Sequence, residues 1–233
     1  MPGGVTVKMY LVWNLQVSKM MILYRININS FEDPMQNKAL FDLVGKERKK
    51  MVIRYRMPDD RKRSFGAGVI IQKILEDHGL SEKHLKYSEN GKPFADGLFF
   101  NVSHAGDYVV GVLSDCEVGC DIEKAVNAPL EIAEHYFNFL ELEYIKSQRD
   151  KNKAFFTLWT LKESYMKMTG RGMSLLLDSF EILPSEAGFT LGKSPEKRCF
   201  FKTLQFEDYI FSVSNETDFS INQMDFNDII INL

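Results

Sequence analysis

The sequence predicts an α+β protein built as a pseudo-dimer of two similar α+β halves, with a ligand site at the seam. Three observations predict it. The order of elements repeats: helix, turn, strand and hairpin occur once before Asp115 and again after Lys151. The segment Gly106-Asp107-Tyr108-Val109-Val110-Gly111-Val112-Leu113-Ser114 has a weak echo in Glu207-Asp208-Tyr209-Ile210-Phe211-Ser212-Val213-Ser214, at the same place in each half. A chain of 233 residues, 45% of them hydrophobic, suits one large domain or two small ones with an ample core. A site between two packed halves is the natural place for a ligand. Residues 1–20 are expected to be an N-terminal extension, 21–117 the N-terminal half and 118–233 the C-terminal half.

The elements follow in order. The apolar run Met9-Tyr10-Leu11-Val12-Trp13 is too short and too interrupted for a signal sequence, and Met20 or Met21 offers a later start. Residues 22–28 read as a strand. Residues 37–44 and the basic segment after them read as helical. Pro58 with Asp59 and Asp60 opens a helix with an acidic first turn. It runs through Val69, Ile70, Ile71, Ile74 and Leu75 and stops near His78-Gly79. Glu89-Asn90-Gly91-Lys92-Pro93-Phe94 is a turn. Strands are expected at 98–102 and 108–113, with His104-Ala105-Gly106-Asp107 turning between them, and at 118–123. Helices at 130–137 and 141–147 precede a long one over 155–170. That helix repeats apolar residues at Phe155, Leu158, Trp159, Leu161 and Met166, and Gly170 supplies a left-handed cap. Strands at 179–183, 199–205 and 209–213 complete the second half.

Composition narrows the class. The net charge of −3 gives no global reason to bind nucleic acid. The charge is uneven, however. Residues 46–63 carry nine Lys and Arg against Glu47, Asp59 and Asp60, whereas residues 206–233 are acidic with no Lys or Arg. A basic patch on such a chain suggests a localised anionic ligand or an acidic partner. Cys116, Cys120 and Cys199 have no paired spacing, so neither a zinc site nor a disulfide framework is indicated. Reduced thiols fit a cytoplasmic protein. No apolar run approaches a membrane span.

The chemistry gathers in two stretches. In a strand, Asp121 and Glu123 point to one face. Adjacent carboxylates repel unless a proton or cation lies between them. Glu163 on the long helix could complete an oxygen set for Mg²⁺, which favours carboxylates, phosphates and retained waters. Glu163 and Lys167 are four apart and share a face, with Trp159 one turn earlier. Lys162 and Lys167 could meet phosphate oxygens, and Lys92 offers a cation on a turn. Ser103 and His104 end a strand with a hydroxyl and an imidazole, both able to bond an anion. Each feature has a plain structural reading beside it: a surface salt pair, an exposed Asp-x-Glu strand, a Gly-Lys-Pro turn, a hairpin-capping His104. Each plain reading is individually the more common, but all would have to hold together.

These residues resemble a known family. Val118-Gly119-Cys120-Asp121-Ile122-Glu123-Lys124 resembles the (V/I)G(V/I/C)DIE motif of 4′-phosphopantetheinyl transferases, and Trp159-x-x-Lys162-Glu163-Ser164-x-x-Lys167 their W-x-x-K-E-(A/S)-x-x-K motif. Gly91-Lys92-Pro93 and Asn101-Val102-Ser103-His104 resemble two further motifs, in the correct order, and Gly170-Arg171-Gly172-Met173-Ser174 and Asp178-Ser179-Phe180 continue the likeness. The similarity runs from about Met21 to the C-terminus, and the length points to the two-halved surfactin-synthetase-activating (Sfp) type rather than the short trimeric type. The resemblance implies transfer of the 4′-phosphopantetheine arm of coenzyme A to a serine of an apo acyl or peptidyl carrier protein, releasing adenosine 3′,5′-bisphosphate. It implies Mg²⁺, or Mn²⁺, held by Asp121, Glu123 and Glu163, with Glu163 as general base and Lys167 on the leaving phosphate. Lys162 is expected at the pyrophosphate, and Arg63, Lys92, Ser103 and His104 at the 3′-phosphate and nucleotide end. Trp159 is expected to pack the core. The carrier is expected to dock on the apolar segment 170–177, against a plain reading in which its leucines start a buried strand. A monomer is expected. Two rivals stand beside this reading: a Mg²⁺-dependent nucleotide or coenzyme A hydrolase, and a non-catalytic carrier-binding module.

Overall fold

The computed structural model describes residues 19–195 and 198–228. Strands β1 (Lys19–Asn27), β4 (Phe99–Ala105) and β5 (Tyr108–Ser114), with helices α1 (Lys38–Phe41), α2 (Lys46–Arg54) and α3 (Pro58–Asp77), make the first half. The short strands β2 (Lys86–Tyr87) and β3 (Pro93–Phe94) form a small hairpin beside it. The second half holds β6 (Val118–Lys124), α4 (Leu130–Tyr136), α5 (Phe139–Ser147), α6 (Lys151–Thr169), β7 (Ile182–Ser185), β8 (Gly188–Leu191), β9 (Phe200–Phe206) and β10 (Tyr209–Asn215). A last strand, β11 (Phe219–Asp228), ends the described chain.

The duplication is visible in the sheet order. One sheet runs β11-β1-β5-β4 and the other β6-β10-β9-β8-β7. The triplets β1-β5-β4 and β6-β10-β9 are therefore built alike: a strand, a long helix, then an antiparallel hairpin whose second strand pairs the first. The hairpin turns match residue for residue. Gly106 and Glu207 occupy the same turn position, and both have φ of +50°. Each turn tyrosine reaches the opposite half: Tyr108 Oη donates to Glu207 Oε1 at 2.9 Å, and Tyr209 Oη to Asp107 Oδ2 at 3.2 Å. Their rings meet edge to face at 4.9 Å.

The strands are apolar on both faces, as strands covered on both sides must be. In β5, Val109 and Leu113 join Phe65, Ile70 and Ile74 of α3, while Val110 and Val112 join Val118, Ile122, Phe211 and Val213 between the sheets. On the outer side of the second sheet, Phe155, Leu158, Leu161 and Tyr165 of α6 pack with Ile210 and Phe201. Helix α6 opens where Asp150 accepts the Lys153 amide and closes at Gly170, whose φ of +71° forms the expected left-handed cap.

Several expectations shift. Lys19 and Met20 belong to β1, not to an extension, while residues 1–18, including the apolar run at 9–13, lie outside the described residues. The turn expected at 104–107 is shorter, because β4 carries on through His104 to Ala105. The strand expected at 179–183 begins only at Ile182, after a 3₁₀ turn over Leu177–Ser179. Strands β8 and β11 were not expected, and β11 crosses from the second half to pair in parallel with β1. Among the described residues no helix is long and apolar enough to cross a membrane.

Candidate active site

Strand β6 lies at the edge of its sheet, against β4 of the first half. The contact is tight: the Cys120 amide donates to Asn101 Oδ1 at 2.9 Å. Alternation sends Cys120 and Ile122 into the core between the sheets and turns Asp121 and Glu123 the other way. Helix α6 crosses directly over this strand. A Cβ placed on Gly119 would stand 2.0 Å from the Ser164 carbonyl oxygen, so only glycine permits the approach. This brings Trp159, Glu163 and Lys167, spaced one helical turn apart, over the two acids.

The result is a cleft of about 440 Å³ whose walls come from both halves. Ser103, His104 and Arg48 line it from the first half, and Asp121, Glu123, Trp159, Glu163 and Lys167 from the second. Asp121 is buried. Its Oδ1 accepts the Lys167 ammonium at 2.5 Å and the Ser103 hydroxyl at 2.8 Å. Lys167 Nζ also donates to Ser103 Oγ at 3.1 Å. Asp121 Oδ2 is buried with no hydrogen-bond partner.

Burial and mutual repulsion both act on the carboxylates of the cleft. Burial, then repulsion from Asp121 and Glu163, pushes Glu123 up to about 7, with Lys167 and a hydrogen bond from Trp159 pulling the other way. Burial and Asp121 also raise Glu163. Burial works against the Lys167 cation, but the adjacent Asp121 carboxylate outweighs it and leaves Lys167 raised. His104 sits exposed at the rim, yet desolvation by the cleft wall and the cations Arg63 and Lys167 hold its imidazole below the ordinary value.

The donor set suits a divalent cation: oxygen ligands, an orphaned buried carboxylate oxygen, and carboxylates whose proton affinity is raised by burial and by one another. The set is not closed, since among the described residues no three His, Cys, Asp or Glu side chains stand together in metal-holding geometry. Lys167 takes one oxygen of Asp121 in their place.

Two expected phosphate ligands are elsewhere. Lys162 is not at the pyrophosphate side, contrary to expectation: its side chain is 0% exposed on the opposite side of α6 and is paired with Glu141 Oε1 at 2.8 Å. Adjacent helix residues diverge by roughly 100°, so Glu163 in the cleft forces Lys162 away from it. Lys92 donates to Glu117 at 2.9 Å and to the Val118 carbonyl at 3.1 Å, and lines an adjoining hollow of about 210 Å³ with Gly91, Pro93, Val102 and Lys167. Arg63 borders His104 but is bound to Asp60 and the Gly106 carbonyl. One charged wall residue was missed, and one packing residue does more than expected. Arg48 was legible only as one charge in the basic run, and it reaches the cleft by passing over Gly68, where a Cβ would stand 2.4 Å from its Cγ. Trp159 stacks on Phe155 at 5.9 Å as a packing residue would, but it also lines the cleft.

The sequence is similar to known proteins over most of its length. Residues 117–221 match the family model described as the 4′-phosphopantetheinyl transferase superfamily, and residues 33–116 match the one described as 4′-phosphopantetheinyl transferase, N-terminal. The 4′-phosphopantetheinyl transferase ffp of Bacillus subtilis is 32% identical over 180 residues, covering 73% of this chain and 80% of that protein. The 4′-phosphopantetheinyl transferase gsp of Aneurinibacillus migulanus is 35% identical over 162 residues, covering 66% and 68%. A solved holo-(acyl-carrier-protein) synthase of Bacillus anthracis, in complex with CoA (3′,5′-ADP), overlaps 42% of this chain and 92% of its own, with a TM-score of 0.37 and 16% identity.

Proposed function

This chain belongs to the 4′-phosphopantetheinyl transferase superfamily, and from that premise we propose that it moves the 4′-phosphopantetheine arm of coenzyme A onto a serine of an apo acyl or peptidyl carrier protein. The observation that carries the site assignment is the buried, unpartnered Oδ2 of Asp121, set in a cleft with Glu123, Glu163 and Lys167. Asp121, Glu123 and Glu163 would hold Mg²⁺ or Mn²⁺. Bound there, the ion would screen the diphosphate and stabilise charge developing on the bridging oxygen.

The chain's own groups account for the rest. Glu163, raised above an ordinary carboxylate, is suited to accept the proton of the carrier serine as its oxygen bonds to phosphorus. The bond from that phosphorus to the bridging oxygen breaks, and adenosine 3′,5′-bisphosphate leaves. Lys167 offers its cation to the departing phosphate, exchanging its bond to Asp121 for one to substrate. Ser103, His104 and Arg48 of the cleft wall supply donors for the anionic nucleotide end, with Arg63 behind His104, and the hollow at Lys92 adjoins it. Because one chain supplies both walls, the reading needs only a monomer. Free thiols at Cys116, Cys120 and Cys199 fit a cytoplasmic enzyme. The carrier is assigned to segment 170–177, where Leu175 is buried as an anchor while Met173 is 91% and Leu176 64% exposed.

Mass spectrometry of an apo carrier incubated with enzyme, Mg²⁺ and coenzyme A tests this. The expected outcome is a gain of the arm's mass, lost on chelation. Glu163→Gln should cut the transfer rate by about two orders of magnitude while leaving the far-ultraviolet spectrum unchanged, the size expected for removal of a general base. Release of the nucleotide from coenzyme A with no gain of mass on any carrier would mark a hydrolase instead.

A further inference from the structure

Lys162 is a costly residue to bury. Its side chain and that of Glu141 are both 0% exposed, and an ammonium and a carboxylate taken from water each lose several kcal/mol of hydration. The return is a set of bonds that no apolar pair could make. Lys162 Nζ donates to Glu141 Oε1 at 2.8 Å, to the Leu177 carbonyl at 2.8 Å and to the Phe180 carbonyl at 3.0 Å. The Phe180 ring lies 4.3 Å from the ammonium. Glu141 in turn accepts the Ile182 amide and the Asn138 amide, both at 2.8 Å. The Asn138 bond caps α5, and the others converge on the chain that leaves α6, which is held at Leu177, Phe180 and Ile182 just beyond the exposed Met173 and Leu176.

We propose that Lys162 is a positioning residue: through its buried pair with Glu141 it fixes the 170–182 segment, so that a carrier protein meets an ordered surface beside the cleft. The proposal rests on the transferase reading above for the identity of the partner. Lys162 and Glu163 then divide the work of one helix. Glu163 faces the reacting groups, and Lys162, on the reverse side, pins the segment that presents the substrate. Without the pin, the segment would have to order itself during docking, and that cost would be charged to carrier binding alone.

Lys162→Met by itself would strand a buried carboxylate, so the decisive protein is Lys162→Met with Glu141→Gln, an uncharged pair of similar volume. The wild-type and double-variant full chains are compared by near-ultraviolet circular dichroism, calorimetric binding of coenzyme A, carrier-dependent kinetics and amide hydrogen exchange. The expected result is a folded protein with coenzyme A affinity and kcat within about twofold of wild type, a carrier KM raised about tenfold, and faster exchange confined to 170–182, as loss of local order predicts. Unchanged carrier KM and unchanged exchange in a folded double variant would overturn the proposal. So would a fall in coenzyme A affinity with carrier KM unaltered, which would return Lys162 to the diphosphate. The exchange experiment involves neither carrier nor turnover, so it reads the pin separately from the transferase reading itself.

Discussion

At Asp121 the two carboxylate oxygens have unequal company. Oδ1 is held by Lys167 and Ser103, while Oδ2 is buried and bare. Asp121→Asn removes the charge and keeps the shape. If the site holds Mg²⁺ as proposed, Mg²⁺ with coenzyme A raises the wild-type melting temperature in calorimetry, and the variant is expected to lose that rise along with transfer. Asp33 shows the opposite case, a carboxylate fully served. Its side chain is 6% exposed, Arg61 grips both oxygens, and this bonding holds its pKa below the usual carboxylate range in spite of burial. Since the folded value lies below the unfolded one, the stabilisation is complete above about pH 4 and drains as the pH falls through the lowered value. Asp33→Asn should therefore cost about 2 kcal/mol in urea unfolding at pH 7 and progressively less in more acidic buffer. An equal cost at all pH values would show that the charge is not the source.

At the scale of elements, the site depends on how closely α6 can lie on β6. That spacing is set by the missing side chain of Gly119, whose place is filled by the backbone at Ser164, Lys167 and Met168. Gly119→Ala should lift the helix from the strand. Its expected cost is at least about 1–3 kcal/mol in unfolding free energy, the usual range for overpacking. Glu163 and Lys167 would move away from Asp121 at the same time, so transfer should fall even where the protein stays folded. A fully active, equally stable alanine variant would contradict the close approach.

For the whole molecule, the two halves are tied by a shared core between the sheets, by β11 paired with β1, and by the exchanged tyrosine contacts at the two turns. One cooperative unfolding transition is expected, with fluorescence and circular dichroism coinciding. Tyr108→Phe with Tyr209→Phe should lower stability by about 3 kcal/mol, near 1 for each hydrogen bond lost, since Tyr209 Oη also accepts the Asp107 amide. Coenzyme A affinity should not change, because these turns stand outside the cleft lining. Weaker coenzyme A binding in the double variant would show that the turns bear on the cleft.

The sequence by itself determined the repeat, the long capped helix and the strand that turns Asp121 and Glu123 to one side. Those features are written in local periodicity, in a glycine at a helix end and in two matching hairpins, and local backbone geometry enforces them. It also showed Glu163 and Lys167 sharing a face, because spacing of four on a helix leaves no other arrangement. Only the tertiary structure decided which way that face turns. Lys162 and Glu163 are neighbours in the chain with the same helical propensity, and burial against α5 and the 177–180 turn sends one of them to a structural pair and the other to the cleft. Arg48 reaches the site, Lys92 is held by Glu117, and β11 returns across the molecule to β1, through contacts between residues far apart in sequence. Such pairings are chosen by which surfaces can be buried together, and that choice is made only when the whole chain packs.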